Sequence, residues 1–106
     1  MSTFDFTNSS SWGGSPVAHQ IAGAAPRGRL IVSGTVVFSE TISSTEGKTY
    51  RCVVTDGTGE VELLFVGREN IPGLTTGAAC TAEGTLGREG GRLIIWNPVY
   101  RLEPPD

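Results

Sequence analysis

The chain has 106 residues, of which 38% are apolar and 18% charged, a size that allows one core and a composition that suits a soluble globular domain. A formal net charge of -3 argues against a strongly basic polyanion binder, and no apolar run is long enough to span a bilayer. All eight basic residues fall between Arg27 and Arg101. There they are offset by Glu40, Glu46, Asp56, Glu60, Glu62, Glu69, Glu83 and Glu89, so the excess negative charge belongs to Asp5, Glu103 and Asp106.

Residues 1–27 are rich in Ser, Gly, Ala and Thr, show neither a two-residue nor a 3.6-residue period, and read as a mobile tail. Phe4, Phe6 and Trp12 in that stretch are either incidental or a short docking motif. The segment has no basic residue before Arg27 and no continuous apolar core, so it does not read as a secretory signal, and the expected location is cytoplasmic. In that setting Cys52 and Cys80, both within apolar stretches, are expected to be reduced core thiols. The single His19 is far from both in sequence and no Cys-x-x-Cys spacing occurs, so no metal site is expected.

From Gly28 the punctuation becomes that of an all-β domain running to Leu102, with residues 103–106 as a short C-terminal tail. The first strand is expected over Arg29–Val37 and a loop over Ser39–Lys48, followed by the second strand, Thr49–Thr55. Asp56-Gly-Thr-Gly59 then supplies two glycines and a turn-bonding Asp, closing a hairpin onto the third strand, Glu60–Val66. Gly67–Thr76, interrupted by Pro72 and Gly73, has room for one short helical turn around Arg68–Ile71. The fourth strand follows over Ala78–Leu86, and the turn Gly87–Gly91 leads to a fifth from Arg92 to about Leu102, with a bulge or edge position at Pro98.

Leu30, Val32, Gly34 and Val36 share their spacing with Cys80, Ala82, Gly84 and Leu86, each an apolar alternation with one inward glycine. A glycine there lets a strand coil sharply, as closing a small barrel requires. Five strands, a one-turn connector after the third, these glycines, and Asp56-Gly-Thr-Gly59 followed by Val61, Leu63 and Phe65 together resemble the oligonucleotide/oligosaccharide-binding (OB) fold. Asp56–Phe65 with Asn97-Pro-Val-Tyr100 is similar to the OB wedge domain of the bacterial branch-migration helicase and to small stand-alone bacterial OB proteins. The resemblance implies a closed five-stranded antiparallel barrel with a ligand path across strands two and three. No phosphate-binding loop accompanies it, so no motor activity is expected.

The hairpin register pairs Val54 with Val61, Cys52 with Leu63 and Tyr50 with Phe65 on the core face. The other face then carries Arg51 and Val53 beside Glu60, Glu62 and Leu64. Arg51 is either a cross-strand partner of Glu62 or a phosphate contact, with Val53 and Leu64 as apolar ground for a base. In such a barrel Lys48, Arg88 and Arg92 flank one groove, and Arg68 begins the connector. Trp96, in the run Leu93-Ile-Ile-Trp, is either a core plug or a stacking platform, and Tyr50 and Tyr100 are further ring candidates. The barrel region has no His and no nucleophile beside a plausible base, which argues against catalysis, and no cofactor is expected. The expected function is binding of single-stranded DNA or RNA with little sequence preference. The alternative is a protein-interaction module, which Glu60 and Glu62 on the presumed binding face would favour.

Overall fold

The computed structural model describes residues 18–24 and 28–104. Within them the fold is all-β, with six strands: β1 (Arg29–Ser44), β2 (Gly47–Thr55), β3 (Glu60–Val66), β4 (Ala79–Glu89), β5 (Arg92–Trp96) and β6 (Val99–Leu102). They form one sheet in the order β1-β2-β3-β5-β4-β6, and a further β1–β4 pairing closes β1, β2, β3, β5 and β4 into a ring.

Glycine at two inward positions allows that closure. β1 and β4 run antiparallel with Leu30 opposite Gly84 and Gly34 opposite Cys80, so each glycine faces a side chain across the pair. A Cβ at Gly34 would run into the Thr55 carbonyl, and one at Gly84 would overlap the Ile95 side chain. The enclosed core is built from alternate residues of every ring strand, including Val32, Cys52, Leu63, Ala82 and Ile95, none more than 1% exposed.

Several expectations are corrected. The pairing that joins β3 to β5 is parallel, Glu62 to Ile94 through Leu64 to Trp96, so the ring is not wholly antiparallel. The long fifth strand is two strands. Pro98 cannot donate to the ladder, and Asn97 takes a left-handed φ of 48°, so β5 pairs with Leu86–Glu89 and β6 with Cys80–Glu83. No helical turn forms between β3 and β4. Pro72 and Gly73, the latter at φ 84°, break the segment into turns closed by Leu74 N–H to the Ile71 carbonyl (3.0 Å) and Ala78 N–H to the Thr75 carbonyl (2.9 Å). Ile71 and Leu74 are buried and seal this end of the core.

The expected loop over Ser39–Lys48 is instead a two-stranded ribbon, in unbroken register from Phe38–Val53 to Ser44–Gly47. A bulge between Val36 and Phe38 separates the ribbon from the ring portion of β1. Extended Ser, Thr and Glu residues pair here because Gly47, at φ 124°, lets the chain reverse.

Residues 18–24, which composition assigns to the tail, pack against the ring. Ile21 is 1% exposed and belongs to the core. Asp56 holds the segment: one carboxylate oxygen accepts the Ile21 N–H (2.9 Å), while the other accepts Thr58 N–H (2.8 Å), Thr58 O–H (2.6 Å) and Gly59 N–H (3.2 Å). His19 adds an N–H bond to the Ile31 carbonyl at 2.7 Å. Phe4, Phe6 and Trp12 lie outside the described residues. At the other end Glu103, assigned to the C-terminal tail, accepts bonds from Thr81 (2.5 Å) and Arg101 (3.1 Å).

Candidate functional site

Register partners on neighbouring strands share a face, which defines the outer surface of the ring as two rows. One runs Phe38, Val53, Glu62, Ile94 and the other Glu40, Arg51, Leu64, Trp96, across β1, β2, β3 and β5. The diagonal between Arg51 and Glu62 is filled by an ion pair. Arg51 donates from Nε to Glu62 Oε1 (3.0 Å) and from Nη2 to Oε2 (3.1 Å), and its Nη1 donates to Glu40 at 3.0 Å. Arg92 on β5 reaches the same Glu62 oxygen at 3.2 Å. The Arg51 guanidinium also lies over the Phe38 ring, 5.5 Å from its centroid.

Glu62 is only 6% exposed, yet it is held ionised. The hydrogen bond from Arg51 lowers its carboxyl below the usual range against the opposing effect of burial, and the charges of Arg51 and Arg92 add to the lowering. Reciprocally, the Glu62 hydrogen bond raises Arg51 further above its ordinary value. Three of Arg51's donor groups thus have carboxylate partners, and its side chain is 18% exposed.

Four expected site residues meet around one groove of about 450 Å³: Arg51, Val53, Arg88 and Arg92, together with Glu60 and Glu62. Gly91 and Leu93 of the β4–β5 hairpin complete its wall. Val53 and Leu64 are buried among the outer-face side chains, so neither offers open apolar ground. Lys48 does not line the groove. It has the parity of Tyr50 and Cys52, which face the core, and its ammonium donates to Ser43 at 3.4 Å. Arg68, exposed on the connector, does not line the groove either.

Trp96 is 46% exposed and is not a core plug. It borders a second hollow of about 580 Å³ with Arg29, Glu83, Thr85, Asn97 and Val99. Asn97 fixes the end of β5, its Oδ1 accepting Val66 N–H (2.8 Å) and its own N–H reaching the Leu64 carbonyl (2.6 Å). Tyr50 is buried with its hydroxyl on the Leu74 carbonyl (2.7 Å), and Tyr100 meets Phe65 edge to face at 5.6 Å.

Sequence reasoning did not single out Phe38, which is as exposed as Trp96. A third large apolar residue after Val36 and Val37 was the available signal, but only the bulge puts it on the outer face. Phe38 on β1 and Trp96 on β5 are separated by β2 and β3 in the sheet order and belong to different rows. Arg51 and Glu62 lie between them.

Among the described residues no group of three His, Cys, Asp or Glu side chains could hold a metal, and no helix is long and apolar enough to cross a membrane. Comparison with known proteins found no family model that matches the chain and no curated protein that matches it.

Proposed function

We propose that the ring is a small β-barrel of the OB type that binds single-stranded nucleic acid weakly on its outer face, held more by stacked bases than by phosphate contacts. The observation that carries the reading is the pair of half-exposed rings, Phe38 on β1 and Trp96 on β5, on the outer surface of the ring, with an arginine-lined groove on the strands between them. Exposed rings accept any base, each stack contributing about 1–3 kcal/mol. The carboxylates decide the balance. Glu62 engages Arg51 and Arg92, which leaves Arg88 and the outer side of Arg92 for phosphates and makes strong salt dependence unexpected.

The test is fluorescence anisotropy with labelled single-stranded DNA, single-stranded RNA and duplex over a salt series. Single strands should bind in preference to duplex, with a log–log salt slope of order one, because each phosphate contact contributes about 0.7 on a single strand. Trp96→Ala and Phe38→Ala should each lower affinity about five- to hundredfold, and Arg92→Ala should flatten the slope. No detectable binding at low salt, or binding indifferent to both ring substitutions, overturns the reading.

A second reading, a protein-interaction module, is favoured by the Glu40–Arg51–Glu62–Arg92 network, because a neutral face rich in Arg and aromatic residues suits a polypeptide partner.

A further inference from the structure

β1 has a partner on each side only as far as its bulge. Arg29–Thr35 pair with β4, and Val36 exchanges backbone bonds with Ala78 and Gly77 (2.9 and 2.8 Å). Beyond Val37, among the described residues, β1 pairs with β2 alone. The direction of the remaining backbone groups follows from one contact. The Lys48 carbonyl accepts the Gly67 N–H at 2.8 Å, so Lys48 turns its backbone toward β3, and its register partner Ser43 is not bonded to it. By alternation Ser39, Thr41 and Ser43 aim their N–H and C=O groups away from β2, along an edge that is exposed from Glu40 to Ser44.

Such an edge is a template for another strand unless something blocks it. No Pro or Lys lies between Phe38 and Ser44, the register there is unbroken, and the one bulge sits at the root of the ribbon. Phe38 and Ile42 are exposed along it, 46% and 42%. The Thr41 hydroxyl donates to the Glu69 carbonyl (2.7 Å), and among the described residues the backbone groups of Thr41 and Ser43 have no backbone partner outside the ribbon.

We infer that a second copy of this chain docks on this edge, the two β1 ribbons pairing antiparallel about an axis at Ile42. In that register Thr41 bonds Ser43 of the second copy and Ile42 meets Ile42 directly, in the closer, non-hydrogen-bonded kind of pair. Glu40 then faces Ser44. An axis at Glu40 sets two carboxylates opposite one another, and an axis at Thr41 sets them on a diagonal, so charge selects Ile42. The proposal is independent of what the outer face binds.

Sedimentation of the full chain over a wide concentration range should show a reversible monomer–dimer equilibrium. Ile42→Lys, which places like charges opposite each other while leaving the exposed backbone unchanged, should weaken association about tenfold or more. Ile42→Cys should cross-link to dimer under mild oxidation, since non-hydrogen-bonded partners lie within disulfide reach, whereas Glu46→Cys at the ribbon tip should not. A chain that stays monomeric throughout the range overturns the inference. So does a dimer that is indifferent to Ile42→Lys and not cross-linked by Ile42→Cys, which would have another interface.

Discussion

Glu62 is the residue where charge and burial meet most sharply. Its carboxylate is nearly inaccessible and is satisfied by two arginines from different strands, so removing it strands part of a partly buried guanidinium. Glu62→Ala should cost about 2 kcal/mol in a urea melt, the range of hydrogen bonds to charged groups. A loss too small to measure would mean that Glu40 and water replace it. The pH dependence follows with a definite sign. Hydrogen bonding by Arg51 holds Glu62 below the usual carboxylate range. At Asp56 burial pushes the carboxyl up, but the bonds from Thr58, Ile21 and Gly59 outweigh it and leave a net lowering. A lowered folded value means stability that is present above the unfolded-state pKa of about 4 and is lost as pH falls through the folded one. The melting temperature should therefore drop on acidification, and Glu62→Gln should make that acid limb shallower.

At the scale of elements, the segment around Ile21 is the clearest departure from what composition implies. Ile21 is buried against the Asp56–Gly59 turn, with its side chain 3.0 Å from where a Gly59 Cβ would stand. Ile21→Ala should destabilise the fold by about 2–5 kcal/mol, measured by denaturant midpoint, and a change under about 0.5 kcal/mol would show that the segment rests on the ring without supporting it. This contribution was not legible because one isoleucine among Ala, Gly and His makes no period, and its partners lie 35 residues away at Asp56. The β2–β3 hairpin was legible to the residue, since Asp56-Gly-Thr-Gly59 fixes the turn and alternation fixes the faces. The ribbon was not, because Ser39–Lys48 has loop composition and its pairing is set by Gly47 and the neighbouring strand. Of the outer face, the Arg51–Glu62 diagonal could be read from register. Phe38 could not, because an unpaired Val37 changes which side the next residue takes.

At the scale of the whole molecule, the ring makes the core a single enclosure. Cys52 and Cys80 sit inside it on β2 and β4, each pushed up by burial to about 12, so neither thiol is reactive at neutral pH while the ring is closed. Both should be labelled by a thiol reagent at one common rate that tracks global unfolding in denaturant. Cys52 labelling well ahead of Cys80 would show β2 opening by itself. The parallel β3–β5 pair that shuts this enclosure also bears on synthesis. Parallel neighbours cannot be joined by a tight hairpin, and here β4 must be made in between. A chain emerging from the ribosome can form the β1–β2 and β2–β3 hairpins early, but the edge of β3 waits for Trp96 before it has a neighbour. Until then the half-made sheet is a curved strip with its apolar side uncovered, the interval in which a chaperone would have most to hold.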